Sequence, residues 1–107
     1  MNKLLTITEK EEFYKLIENN NKVLITFVAS WCSTCKLQKE IIYELAEQLQ
    51  NKLLIVKADI DLLEEVANEF EIKVIPTICL FINKELKEKL TGLVSKGQIL
   101  EKIINYI

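Results

Sequence analysis

Val23-Leu24-Ile25-Thr26-Phe27-Val28-Ala29-Ser30-Trp31-Cys32-Ser33-Thr34-Cys35-Lys36 is the stretch that decides the reading of this chain. An apolar, β-branched run leads into two cysteines separated by two residues, and a helical pattern begins at once. Residues 23–28 predict a strand with too few polar positions for a wet face, so both faces are expected to be covered. Cys32 then falls at the start of a helix, where unpaired backbone N–H groups and the helix dipole favour a thiolate. Cys35, one turn on, shares that helical face, which brings the two sulfurs within bonding reach. A more buried position is expected for Cys35, which makes it the less ready thiolate. Cys32 is therefore the expected nucleophile toward a client disulfide, and Cys35 the residue that resolves the mixed disulfide.

The chain has 107 residues, of which 50% are apolar and 28% charged, as suits a single domain over residues 1–107 with one core. A net charge of -2 offers no basic excess for phosphates, so neither nucleic acid nor an anionic membrane is expected as a partner. Met1-Asn2-Lys3-Leu4-Leu5-Thr6-Ile7-Thr8-Glu9 reaches an acidic residue too soon to hold the apolar region of a signal peptide. No later run is long enough to cross a bilayer, and the cytoplasm is the expected location. The absence of histidine removes the commonest general base and the usual zinc partner. Cys79 is the only other cysteine for a zinc site that needs four ligands, so the pair reads as redox and no metal is expected. Cys79 itself alternates with Thr77 and Phe81 and reads as a small buried hydrophobe rather than a regulatory thiol.

The rest of the chain reads as short elements joined by short turns. Leu4-Leu5-Thr6-Ile7 predicts a first strand. Thr8 with Glu11 fits a capping box for a helix striped by Phe13, Leu16 and Ile17, which Asn19-Asn20-Asn21 ends. After the cysteines, Leu37, Ile41, Leu45 and Leu49, widened by Ile42 and Ala46, predict a long amphipathic helix whose solvated face carries Lys36, Lys39, Glu40, Glu44 and Glu47. Residues 53–58 predict a third strand. Asp61 with Glu64 fits a cap for a short helix striped by Leu62, Val66 and Phe70. Thr77 to Ile82 and Leu86 to Thr91 predict an antiparallel pair joined by a tight turn, the second strand being a charged edge that opposes sheet extension. A monomer is expected on that ground. Ser95 with Gln98 caps a last helix carrying Ile99, Leu100, Ile103, Ile104 and Ile107. The order βαβαβα then ββα predicts an α/β fold with a mixed sheet, three parallel strands plus a C-terminal hairpin.

Phe27-Val28-Ala29-Ser30-Trp31-Cys32-Ser33-Thr34-Cys35-Lys36 closely resembles the active-site segment of thioredoxins. The resemblance continues through Lys57-Ala58-Asp59-Ile60-Asp61, Ile75-Pro76-Thr77, Thr91-Gly92 and Ser95-Lys96-Gly97-Gln98, without a large insertion. It implies the thioredoxin fold, a five-stranded mixed sheet with helices on both faces. It also implies reduction of protein disulfides with no bound cofactor, on electrons from NADPH passed by a thioredoxin reductase. Pro76 on sequence alone reads as a strand-entry proline; the resemblance implies a cis Ile75–Pro76 bond facing the cysteines. Trp31 alone reads as a core or rim aromatic. With Ile60, Val74, Ile75, Gly92 and Leu93, the resemblance implies a flat apolar rim that docks clients. Gly92 reads either as a strand-end glycine or as a point of close backbone approach.

Two departures bear on tuning. Ser33-Thr34 stands where the family usually has Gly-Pro, which restores an N–H and adds two hydroxyls able to donate toward a thiolate. Thr26 stands where the family typically has a buried aspartate beneath Cys35, and it leaves Lys57 without that partner. Lys57 then either snorkels to solvent or stands near Cys35 as an aid to proton transfer. Two alternatives to a general reductase remain open: a more oxidising carrier dedicated to one pathway, and a binding module whose cysteines are incidental. Stabilising the dithiol form raises the reduction potential. Equilibration with a glutathione buffer is expected to give a potential above that of a Gly-Pro thioredoxin, and a value at or below it would count against this tuning.

Overall fold

The computed structural model describes residues 4–107; residues 1–3, part of the N-terminal segment read above, lie outside the described residues. The elements are β1 (Thr6–Ile7), α1 (Lys10–Asn19), β2 (Lys22–Val28), α2 (Ser33–Gln48), β3 (Leu54–Asp59), α3 (Glu64–Glu69), β4 (Thr77–Ile82), β5 (Glu85–Thr91) and α4 (Lys96–Ile103), which ends in a 3-10 turn over Ile104–Tyr106. They build one five-stranded sheet in the order β1-β3-β2-β4-β5. β1, β3 and β2 run parallel, β4 is antiparallel to β2, and β5 is antiparallel to β4. The predicted mixed sheet is therefore the observed one.

β2 is hydrogen-bonded on both edges, and alternation along it sorts the core into two layers. Val23, Ile25 and Phe27 face α1 and α3, together with Val56, Ala58, Cys79 and Phe81. Leu24 faces the other way, with Ile55, Ile78 and Leu80, against Ile42 and Leu45 of α2 and Ile99 and Ile103 of α4. Phe13 anchors the first layer, its ring centroid 5.8 Å from Phe70, 5.9 Å from Phe81 and 6.2 Å from Phe27. Burial of both faces explains why β2 reads as an almost unbroken apolar run.

The helix ends separate capping motifs that form from those that do not. Ser95 and Gln98 form a reciprocal capping box at the start of α4. At α1 the N-cap is Glu9, without a side-chain bond, and the Thr8–Glu11 box is absent. Instead the Thr8 N–H donates to Glu12 at 3.3 Å. At α3 the N-cap is Leu63, again without a side-chain bond, and Asp61 is engaged elsewhere. The predicted stripes also shift. Leu37 and Leu62 are both 61% exposed, while Gln38 and Leu63 take the buried positions. Ile104 is likewise exposed, because the α-helix has already given way to the 3-10 turn. β1 is shorter than the predicted 4–7, and β3 and β5 are offset from their predicted starts by one residue.

β5 is the charged edge expected of it, pairing only with β4. Lys89 has an additional task, donating to the carbonyls of Phe70 (2.9 Å) and Glu71 (2.7 Å) where α3 ends. The β4–β5 turn places Asn83 at φ 49° and Lys84 at φ 75°, the pairing of positive angles that a two-residue hairpin turn demands. Asparagine adopts this region more readily than lysine, for which it is costly. Lys84→Gly is expected to stabilise the protein by about 1 kcal/mol, read as a higher urea midpoint at unchanged denaturant sensitivity.

Candidate active site

The chain leaves the sheet at the end of β2 and turns back through Ala29, whose carbonyl accepts the Cys32 N–H at 3.2 Å. Cys32 is the N-cap of α2. Its sulfur takes the place usually held by a capping oxygen, accepting the Cys35 N–H at 3.2 Å. The Thr34 hydroxyl lies 3.3 Å from the same sulfur. Cys32 and Cys35 are joined as a disulfide, with Cα atoms 5.3 Å apart. The expected difference in burial between them is absent: Cys32 is 6% and Cys35 5% exposed. Their surroundings differ instead, because Cys32 sits at the helix end and Cys35 looks into a cavity.

Alternation along paired strands builds that cavity. Thr26 pairs with Lys57 and Val28 with Asp59 across β2 and β3, so all four residues lie on the α2 side of the sheet. Thr26, Cys35, Ile42, Lys57 and Asp59 line a space of about 280 Å³ between the sheet and α2. The Thr26 hydroxyl is buried there and has no hydrogen-bond partner among the described residues. Lys57 is half-buried, with Nζ 6.0 Å from the centre of the Tyr43 ring, a ring that Lys39 approaches at 5.5 Å from α2.

The other candidate residues gather around the cysteines. The Ile75–Pro76 peptide bond is cis. Ile75 and Ile60 pack against Ala29, Cys32 and Cys35. The Pro76 carbonyl accepts the Gly92 N–H at 2.8 Å, which joins the two rim segments at the open end of the hairpin. Gly92 has φ 80°, and a Cβ built on it would meet nothing within 4 Å. Its backbone conformation, not crowding, is what requires glycine there. Trp31 is 69% exposed, with Val74 (51%) and Leu93 (47%) exposed beside this region of the fold. Ser33 is exposed in the first turn of α2.

The thioredoxin family model matches residues 4–105. This chain belongs to the thioredoxin family. A thioredoxin of Rickettsia bellii is 35% identical over 101 residues, which cover 94% of this chain and 96% of that protein. The crystal structure of oxidised mitochondrial thioredoxin 3 from Saccharomyces cerevisiae superposes with a TM-score of 0.85 at 31% identity, covering 97% of this chain and 95% of that one. A bifunctional thioredoxin reductase/thioredoxin of Mycobacterium leprae is 29% identical over 103 residues, 96% of this chain and 22% of that longer protein. Family and cysteine pair together make the protein a dithiol–disulfide oxidoreductase. Among the described residues, no cluster of three histidine, cysteine, aspartate or glutamate side chains forms a metal-binding group. No helix among them is long and apolar enough to cross a membrane.

Three polar residues take part in this thioredoxin site without a site role expected from the sequence. Gln38 is fully buried and bonds the Val94 backbone twice, donating to its carbonyl at 2.9 Å and accepting its N–H at 2.8 Å. It thereby ties the cysteine-bearing helix to the loop after Gly92. Asp61 accepts the Trp31 indole N–H at 2.9 Å and holds that exposed ring. Asp59 shares the cavity with Cys35, a placement readable from its even spacing with Lys57 along β3. Cys79 stands apart on the other face of the sheet, fully buried, and burial pushes its thiol pKa up to about 12 against a small opposing effect of Lys89. A buried thiol with a raised pKa does not ionise near neutrality. The reduced native protein is therefore expected to show two thiols reactive toward an aromatic disulfide reagent at pH 8, and three once denatured.

Proposed function

We propose that Cys32 attacks client disulfides and Cys35 resolves the mixed disulfide, in a cytoplasmic, monomeric protein-disulfide reductase formed by residues 1–107. The observation that carries the division of roles is the Cys32 sulfur at the N-cap of α2, accepting the Cys35 N–H. An anionic sulfur gains most from that position, since the first-turn N–H groups and the helix dipole both favour negative charge. The Thr34 hydroxyl supplies a further donor, and Ser33 stands beside it in the first turn. Thr26 and Lys57 support Cys35 from the cavity side.

Trp31, Ile60, Val74, Ile75, Pro76, Gly92 and Leu93 form the surface that receives the client. The exposed apolar side chains of Trp31, Val74 and Leu93 suit an extended, partly apolar segment. Ile75 packs against the cysteine pair, and its backbone can pair with such a segment. Electrons come from NADPH through a thioredoxin reductase. The Mycobacterium leprae relative, whose name joins a reductase to a thioredoxin, supports that partnership. Ser33-Thr34 and Thr26 favour a second reading with the same chemistry, a more oxidising carrier that serves one pathway.

Coupled reduction of a protein disulfide with NADPH and a thioredoxin reductase tests the proposal. Cys32→Ser is expected to abolish turnover, and Cys35→Ser to accumulate a client disulfide-bonded at Cys32, seen by mass spectrometry. A client trapped on Cys35 in the Cys32→Ser protein, with none trapped on Cys32 in the Cys35→Ser protein, would reverse the roles. Turnover with one particular reductase and not with a general one would favour the dedicated carrier.

A further inference from the structure

The resolving step needs the proton of Cys35 to go somewhere, and the chain has no histidine to take it. Thr26, which lines the same cavity as Cys35, has a hydroxyl that cannot act as a base at neutral pH. The cavity that Cys35 lines is otherwise edged by Lys36 and Lys39 from α2, Lys57 and Asp59 from β3, and Thr6 from β1. Lysine ammonium groups donate and do not accept. Asp59 is the only carboxylate in this lining. One of its oxygens, Oδ1, is held by the Asp61 N–H at 3.0 Å, which fixes the group at the end of β3. The buried Thr26 hydroxyl lacks a hydrogen-bond partner among the described residues while it lines the same space. A cavity of about 280 Å³ has room for several waters at roughly 30 Å³ each, and it offers the polar partners that bound water requires.

We propose that Asp59 is the general base for Cys35, reached through cavity water that the Thr26 hydroxyl holds in place. This rests on the assignment of Cys32 as nucleophile and Cys35 as resolving residue. As the Cys35 sulfur attacks the Cys32 sulfur of the mixed disulfide, its proton passes through water to the Asp59 carboxylate. The Cys32–client sulfur bond breaks and the Cys32–Cys35 bond forms. The client sulfur leaves with the bonding pair as a thiolate, and the proton on Asp59 returns to it through solvent. The dithiol loses two electrons and the client disulfide gains them. A carboxylate is a weaker base than the thiolate it helps to form, so the proton moves as the sulfur–sulfur bond forms and not before. Lys57, on the same strand and two residues away, supports the negative charge as it passes between sulfur and carboxylate. Lys36 and Lys39 add the same sign of charge from the facing helix.

Rapid mixing of the reduced protein with a disulfide client, followed by acid quench and mass analysis from pH 6 to pH 9, tests the assignment. In Asp59→Asn, which can still accept the Asp61 N–H, the mixed disulfide on Cys32 is expected to accumulate at pH 7. Its decay should be at least tenfold slower than in the unmodified protein, short of the roughly hundredfold or more of direct general-base catalysis because water intervenes. The difference should narrow toward pH 9 as the thiol ionises unaided, and Asp59→Glu should restore part of the rate. Thr26→Val should slow the same step severalfold. Accumulation on Cys32 itself certifies that the variant folds and completes the first attack. A pH profile in Asp59→Asn that overlays the unmodified one would overturn the proposal, as would a full effect from Lys57→Met with none from Asp59→Asn. If Cys35→Ser fails to trap a client on Cys32, the parent assignment of roles falls, and this proposal with it. Normal trapping there with unaltered Asp59→Asn kinetics overturns Asp59 alone.

Discussion

The central strand β2 is bonded along both edges and buried on both faces, and the rest of the molecule depends on that constraint. A strand so enclosed has no freedom to slip, because a shift of one residue would send every side chain to the wrong layer. The place where it leaves the sheet is therefore fixed, and so is the start of α2, five residues beyond Val28. Cys32 inherits its position at the helix end from this rigidity. The same strand sets which residues look toward α2, and thus which groups meet Cys35.

Much of this architecture was legible because strong periodicity and rare residues report directly on backbone geometry. The apolar run of β2, the turn at Asn83-Lys84 and the Ser95–Gln98 box all lie where pattern places them. Patterns that rest on competition were less legible. Thr8 and Asp61 carry the right side chains for capping, yet Glu12 takes the Thr8 N–H and the Trp31 indole takes the Asp61 carboxylate. Leu37 fits an apolar stripe, but the backbone of Val94 offers Gln38 two hydrogen bonds, and the helix face turned inward is the one carrying the amide. A local pattern cannot show a partner that is 56 residues away in the chain.

The site shows the same division. The cysteine pair, Pro76, Gly92 and the apolar residues around them follow from motif and resemblance. Thr26 was visible as a departure, but its consequence was not, because an orphaned hydroxyl is defined by what surrounds it. Asp59 belongs to the Lys57–Asp61 resemblance but carries no role in it, and it lies one residue beyond the predicted strand at 53–58. Strand alternation, applied across paired strands, is the signal that brings it beside Cys35. The equal burial of the two cysteines also shows that accessibility alone does not distinguish them.

Cys79 sits on the opposite side of the sheet, closed in by the Phe13 layer. Its seclusion has an accounting consequence for the whole molecule. Once Cys32 and Cys35 are joined, every sulfhydryl in the chain is either spent in that bond or sealed in the core. Each molecule thus exchanges electrons in a single unit of two. Its oxidised form has no spare sulfur with which to crosslink to another copy, so a pool of this protein can stand fully oxidised without tangling.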